Sequence, residues 1–328
     1  MNKSQLYRQL NVKLDLAVEA HQLLRGESGE EIPGVLMDEQ HLDHANVTII
    51  TVESDAGVKA IGKPKGQYIT IDAPELRDSD YAVHEKITHI LAERLIKLME
   101  LKENDSVLVI GLGNWNATPD ALGPQVISKT MVTRHLFELS PNELNGQMRK
   151  VSAISPGVLG TTGIETAEII RGIVDHVKPD LVIAIDALAA GSLERIGTSI
   201  QLANTGIHPG SGVGNKRLGI NEETLGCKVI AIGLPTVVNA AVIAHDAVEG
   251  IFKQFVTSPS LYKLYKGIKP ETFSQIIDDV LSPFQGNLMV TPKEIDSLIQ
   301  TSAKIIAGAL AISLHPGIDR DEFERYLQ

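Results

Sequence analysis

The stretch Ser106-Val107-Leu108-Val109-Ile110-Gly111-Leu112-Gly113-Asn114-Trp115-Asn116-Ala117-Thr118-Pro119-Asp120-Ala121-Leu122-Gly123-Pro124 decides the fold. Residues 106–110 are a short apolar run of the kind buried in a parallel sheet. Beyond the glycines, Val126, Ile127, Met131, Val132 and Leu136 predict a helix over 125–137. Strand, glycine turn and helix meet where open α/β sheets place a ligand or a reacting group. Asp120 sets a carboxylate at that point.

Working outward, 181–185 is a second fully apolar run, closed by Asp186. Apolar or β-branched runs at 47–52, 68–71, 151–154, 196–202 and 228–233 predict further strands. Helices are predicted from residue 14 through 24, over 161–177, 235–252, 271–281 and 292–313. Another follows the capping candidates Asp78, Ser79 and Asp80, with Val83, Ile87, Leu91, Leu95 and Leu98 on one stripe. Residues 57–66 hold three glycines, Pro64 and three lysines and read as a turn or an exposed β-excursion. Residues 26–33 read as a loop and 1–13 as a loosely held polar arm. Strands alternating with helices predict a doubly wound, mostly parallel α/β sheet with helices on both faces, plus insertions and a helical C-terminal region.

The 328 residues are 43 % hydrophobic but only 4 % aromatic, so the core is built from aliphatic side chains. A net charge of −11 argues against direct nucleic-acid binding. Cys227 is the single cysteine, which rules out an intrachain disulfide and fits a reducing cytoplasm. No signal segment opens the chain, and no apolar run is read as long enough to span a membrane.

Two carboxylates near two strand ends suggest a shared proton, because neighbouring negative charges push one pKa up. The ionised partner then activates water while the protonated one donates to a leaving group. The plainer readings are a helix cap for Asp120 and a turn former for Asp186. A dinucleotide loop is set aside, since Asn116 stands where the third glycine of the fingerprint belongs. No P-loop and no G-x-S-x-G elbow is present, and Cys227, opening an apolar strand, reads as packed. No H-E-x-x-H occurs, and His84 and His89 are badly spaced for one helix face. His208, beside the glycine-rich run 209–214, is the one histidine to watch; no metal ligand and no cofactor are assigned.

Five motifs together resemble the germination protease of endospore-forming bacteria: Asp15 to His21, Val109 to Pro124, Ser155 to Thr166, Ile185 to Ala189, and His208 to Asn215. The resemblance runs through nearly the whole chain, and the core is also similar to hydrogenase maturation proteases. It implies a zymogen of an atypical aspartic-type endopeptidase that degrades small acid-soluble spore proteins during germination. It further implies a homotetramer in the cytoplasm of the spore core, with no cofactor and no membrane or direct nucleic-acid partner. Asp120 and Asp186 match the family's two essential aspartates. Family substrates are cut after an acidic residue and before a large apolar one, followed by Ala, a variable residue and Glu. Asp15-Leu16-Ala17-Val18-Glu19 repeats that pattern, so self-cleavage is expected between Asp15 and Leu16. The chain thereby divides into a propeptide, 1–15, and a single protease domain, 16–328. Substrate positioning is assigned to Gly111, Gly113, Asn114, His208, Gly210 and Gly212. Two alternatives stand beside this: a metal-dependent maturation-type protease, and a non-catalytic ligand-binding protein on the same fold.

Overall fold

The computed structural model describes residues 7, 12, 14–28, 31–139, 144, 147–207, 219–257, 270–284 and 287–317. Among these, nine strands form one sheet. They are β1 (Val35–Leu42), β2 (Ala45–Val52), β3 (Gly66–Asp72), β4 (Val107–Gly111), β5 (Val151–Ile154), β6 (Leu181–Ala190), β7 (Ser199–Ala203), β8 (Lys228–Asn239) and β9 (Met289–Val290). The order across the sheet is β1-β2-β3-β7-β8-β6-β4-β5, with β9 paired to the end of β8. β5, β4, β6 and β8 are mutually parallel and form the predicted core. β7 and the β1–β3 meander extend it antiparallel.

The principal helices are α1 (Ala17–Ser28), α2 (Asp55–Ile61), α3 (Tyr81–Met99), α4 (Leu122–Ile127), α5 (Thr166–Val177), α6 (Ala240–Thr257), α7 (Pro270–Leu281) and α8 (Ile295–Leu314). Strand alternation divides the core. Val109, Ile183, Ile185 and Ile232 pack with α3, α4 and α8 on one face. Leu108, Ile110, Val182 and Ala184 pack with α5 on the other. Farther along that second face, Leu188, Ala203 and Ala231 pack with Leu16, Ala17 and Val18 at the start of α1. α8 has the length and hydropathy of a membrane span, which exceeds the sequence reading, yet 72 % of its apolar window is buried within the protein.

The chain leaves β4 for β5 on one side and returns to β6 on the other. That reversal creates a crevice at the carboxyl ends of β4 and β6, the usual ligand position in such sheets.

Several elements differ from the sequence reading. The helix predicted over 125–137 stops at Ile127. Thr133 and Arg134 donate instead to the Val151 carbonyl at 3.0 Å, tying this segment to β5. β8 runs on to Asn239 where a helix was predicted from 235, because Pro235, Val237 and Val238 continue the ladder with β6. Residues 55–61 form α2, opened by the Ser54 hydroxyl accepting from Gly57 N. The predicted helix over 161–177 is broken by Gly163 in the left-handed region (φ 71°) and restarts at Thr166. Residues 26–28, read as loop, complete α1.

Candidate active site

Asp120 ends a single 3-10 turn, Thr118–Asp120, directly before α4. Ala121, with no side-chain cap to offer, stands at the N-cap of α4, so Asp120 is not the N-cap residue of that helix. The turn folds back onto the end of β4. Asn114 N donates to the Asp120 carbonyl at 3.0 Å, and the Thr236 hydroxyl of β8 donates to the Pro119 carbonyl at 2.7 Å.

The two glycines of the opening stretch permit that closure. Gly113 has φ 110°, and a Cβ there would overlap the Asp120 carbonyl and stand 3.2 Å from Asp120 Oδ1. A Cβ at Gly111 would overlap the Gly123 carbonyl. Gly111 and Gly113 thus bring Asp120 against the strand end, and Asn114 pins it there.

Asp186 is the sixth residue of β6 rather than its last, a correction to the turn-former reading. The sequence suggests a strand end because the fully apolar run stops at Ile185. In the sheet it is the neighbour that stops: β4 pairs with β6 only as far as Gly111 opposite Ile185. Leu112 N then donates to the Ile185 carbonyl at 2.8 Å. Asp186 therefore stands at the point where β6 emerges beside the 111–113 turn, 6 % exposed. Its Oδ1 accepts from Ala187 N at 2.9 Å. The same three-residue turn thus touches both carboxylate-bearing segments, at the mouth of the crevice.

Gln201, Gly233 and Asp186 lie in one row across β7, β8 and β6, and paired residues share a face. The Asp15–Leu16 segment lies over this row. Lys63 Nζ donates to the carbonyls of Leu14 and Asp15, both at 2.8 Å. Gln201 Nε2 also donates to the Asp15 carbonyl, at 3.3 Å, while its Oε1 accepts from Ala17 N at 2.7 Å. Leu16 is wholly buried. A cavity of about 80 Å³ beneath the segment is lined by Asp15, Lys63, Leu188, Gln201 and Gly233 among others. Burial holds the Lys63 ammonium below the ordinary lysine range, against the upward pull of Asp15 and Glu19.

Of the opening arm, 1–13, Tyr7 and Val12 are described, and both pack against the fold. Tyr7 is 4 % exposed and its hydroxyl donates to the Gly191 carbonyl at 3.2 Å. Sequence reasoning missed Lys63 and Gln201. Lys63 sits in a glycine- and lysine-rich stretch that reads as exposed, and Gln201 in a strand with no motif. His208, Gly210 and Gly212 lie outside the described residues.

Burial raises the Cys227 thiol, with Glu222 and Asp180 adding to the effect, which fits its reading as a packed residue. Among the described residues, His245, Asp246 and Glu249 of α6 bring candidate metal-ligand atoms within 4.8 Å of one another. This group does not include Asp120 or Asp186. The Tyr7 and His245 rings meet in a T-shaped arrangement, with centroids 6.4 Å apart.

The family model described as germination protease matches residues 14–263 and 260–327. A germination protease of Caldanaerobacter subterraneus subsp. tengcongensis is 49 % identical, over 97 % of this chain and 98 % of its own. One from Clostridium tetani is 44 % identical over 97 % and 100 %, and one from Bacillus cytotoxicus 42 % over 96 % of each. Among solved structures, a [NiFe] hydrogenase maturation protease, HycI from Thermococcus kodakarensis, matches 66 % of this chain and 98 % of its own. Its identity of 20 % and TM-score of 0.34 are too low to argue from. Full-length similarity above two-fifths identity, together with the matched family model, settles the assignment: this chain belongs to the germination protease family.

Proposed function

We propose that the chain is the zymogen of an aspartic-type endopeptidase, with Asp120 and Asp186 sharing the general acid and base roles. The observation that carries this is the folding of the Asp120 turn onto the 111–113 strand end beside which Asp186 emerges. One carboxylate, ionised, takes a proton from the attacking water. The other, protonated, donates to the leaving amine nitrogen as the C–N bond breaks. The roles are assigned to the pair and not to either aspartate alone. Gly111, Gly113 and Asn114 position the turn, and the role given to His208, Gly210 and Gly212 is substrate positioning.

The substrates in this reading are the small acid-soluble spore proteins, degraded in the cytoplasm of the germinating spore by a homotetramer. Self-cleavage between Asp15 and Leu16 removes the propeptide, and no metal participates. Single Asp120→Asn and Asp186→Asn variants are expected to stay folded by circular dichroism. Their cleavage of a peptide carrying the Glu-Ile-Ala-Ser-Glu type of site should fall at least about 10²-fold, the usual weight of general acid–base catalysis. Cleavage at the wild-type rate by either variant sinks the mechanism. Loss of activity on chelation, restored by a divalent cation, moves the reading to a metal-dependent peptidase.

A further inference from the structure

Past Asp186, β6 and the residue after it present two backbone donors two residues apart. Ala189 N donates to Asp15 Oδ2 at 2.9 Å. Gly191 N donates to both oxygens of Glu19, at 2.9 and 2.8 Å. Donors two residues apart on an extended chain are separated by about 7 Å. The acceptors are four residues apart across the entry to α1, where Ala20 N donates to the Leu16 carbonyl. Such residues stand about 6 Å apart along a helix axis. The two spacings match, so one strand end meets two carboxylates at once.

A segment lacking either acid leaves a buried N–H without its acceptor, which is costly. Between the two acids, Lys63 and Gln201 hold the Asp15 carbonyl and Gln201 takes Ala17 N–H. Ala17 itself is wholly buried. Arg195 Nε lies 3.7 Å from Glu19 Oε1.

We propose, relying on the peptidase reading for the ligand's identity, that the end of β6 with Lys63 and Gln201 is the substrate-recognition site. The Ala189 and Gly191 amides read the two acids of the expected cleavage pattern, and in the intact chain residues 14–19 fill the site. The occupant blocks added substrate. Past the bond, the chain enters α1 directly at Ala17. Gly191 offers a handle on the reader alone. A Cβ there would overlap Leu14 Cδ2 and stand 3.0 Å from Glu19 Oε2.

The test measures binding apart from hydrolysis, on the full chain carrying Asp186→Asn. The probe is a fluorescent peptide with the sequence of residues 12–24. Its control has Asn and Gln in place of the two acids. The tethered occupant competes at high effective concentration, so the probe should bind weakly to the chain with its own segment intact. Adding Glu19→Ala should tighten binding of the acidic probe at least tenfold and leave the amide control unchanged. Adding Gly191→Ala as well should remove that gain. Should Glu19→Ala fail to fold by circular dichroism, Asp15→Asn carries the same comparison through the Ala189 contact. Equal binding of the two probes, no gain on releasing the occupant, or a gain that survives Gly191→Ala overturns the proposal. Acid-selective binding by a chain whose Asp186-intact form hydrolyses no peptide upholds the recognition site and rejects the peptidase reading.

Discussion

Glu19 is a carboxylate only 7 % exposed, and burial pushes its pKa up to about 7 against the opposing Gly191 N–H and Arg195. The sign of the consequence follows from linkage. Between its unfolded value of 4.5 and about 7, the folded chain holds a proton that the unfolded chain has released. The stability this gives is present at low pH and lost as pH rises through about 7, on the order of 3 kcal/mol in all. His315 acts in the opposite sense. Burial lowers it to about 4, so its contribution grows as pH climbs toward its ordinary value of 6.5. Comparing wild type with Glu19→Gln separates the two. In melts from about pH 5 to about pH 8, the variant should gain stability relative to wild type as pH rises. A constant difference across that range means Glu19 does not titrate there. At this scale the two aspartates were legible as candidates, since both follow apolar runs. The sequence was silent on Lys63, Gln201 and the Ala189 and Gly191 amides, because these are brought to residues 14–19 from positions 44 or more residues away, and backbone donors carry no residue signature.

The elements divide along the same line. The apolar runs that became β4 and the first half of β6 are legible because buried parallel strands are apolar on both faces. The second half of β6 is not, since Asp186 interrupts the run and only the β8 ladder reveals that the strand continues. β1 escaped notice for a related reason: its exposed residues include Asp38, Glu39 and His41, and it is held at the sheet edge by β2 alone. The start of α1 is the element most directly tied to the proposed function, because Leu16 anchors it by complete burial among Leu188, Ala203 and Ala231. Leu16→Ala should cost about 2–5 kcal/mol of local stability, the usual range for such a truncation. The loss should appear as faster amide exchange over residues 14–28, while α3 and α8 keep their protection. Equal acceleration throughout would mean that α1 unfolds only with the whole chain, leaving no local opening through which the Asp15–Leu16 bond becomes accessible.

At the scale of the molecule, the N-terminal segment joins regions far apart in the chain. Arg195 links Glu19 to Asp72 of β3, at 3.7 and 2.6 Å. Tyr7, Val12 and Leu14 pack into a cluster with Val242 of α6 and Ile277 and Leu281 of α7. The main core beneath α3 and α8, by contrast, contains none of the described residues among the first fifteen. Loss of residues 1–15 should therefore leave the sheet and the main core standing while stripping one wall from the α6–α7 cluster. Incubating the full chain under conditions that permit self-cleavage, and following intact mass, should show a product lacking those fifteen residues. That product should keep its far-ultraviolet circular dichroism. Its amide exchange should rise over 240–251 and 270–281, with 81–99 and 295–314 unchanged. A processed chain that unfolds, or one whose exchange rises evenly, would contradict this division. The segment would then hold the fold as a whole, and its removal could not serve as a step toward an active enzyme.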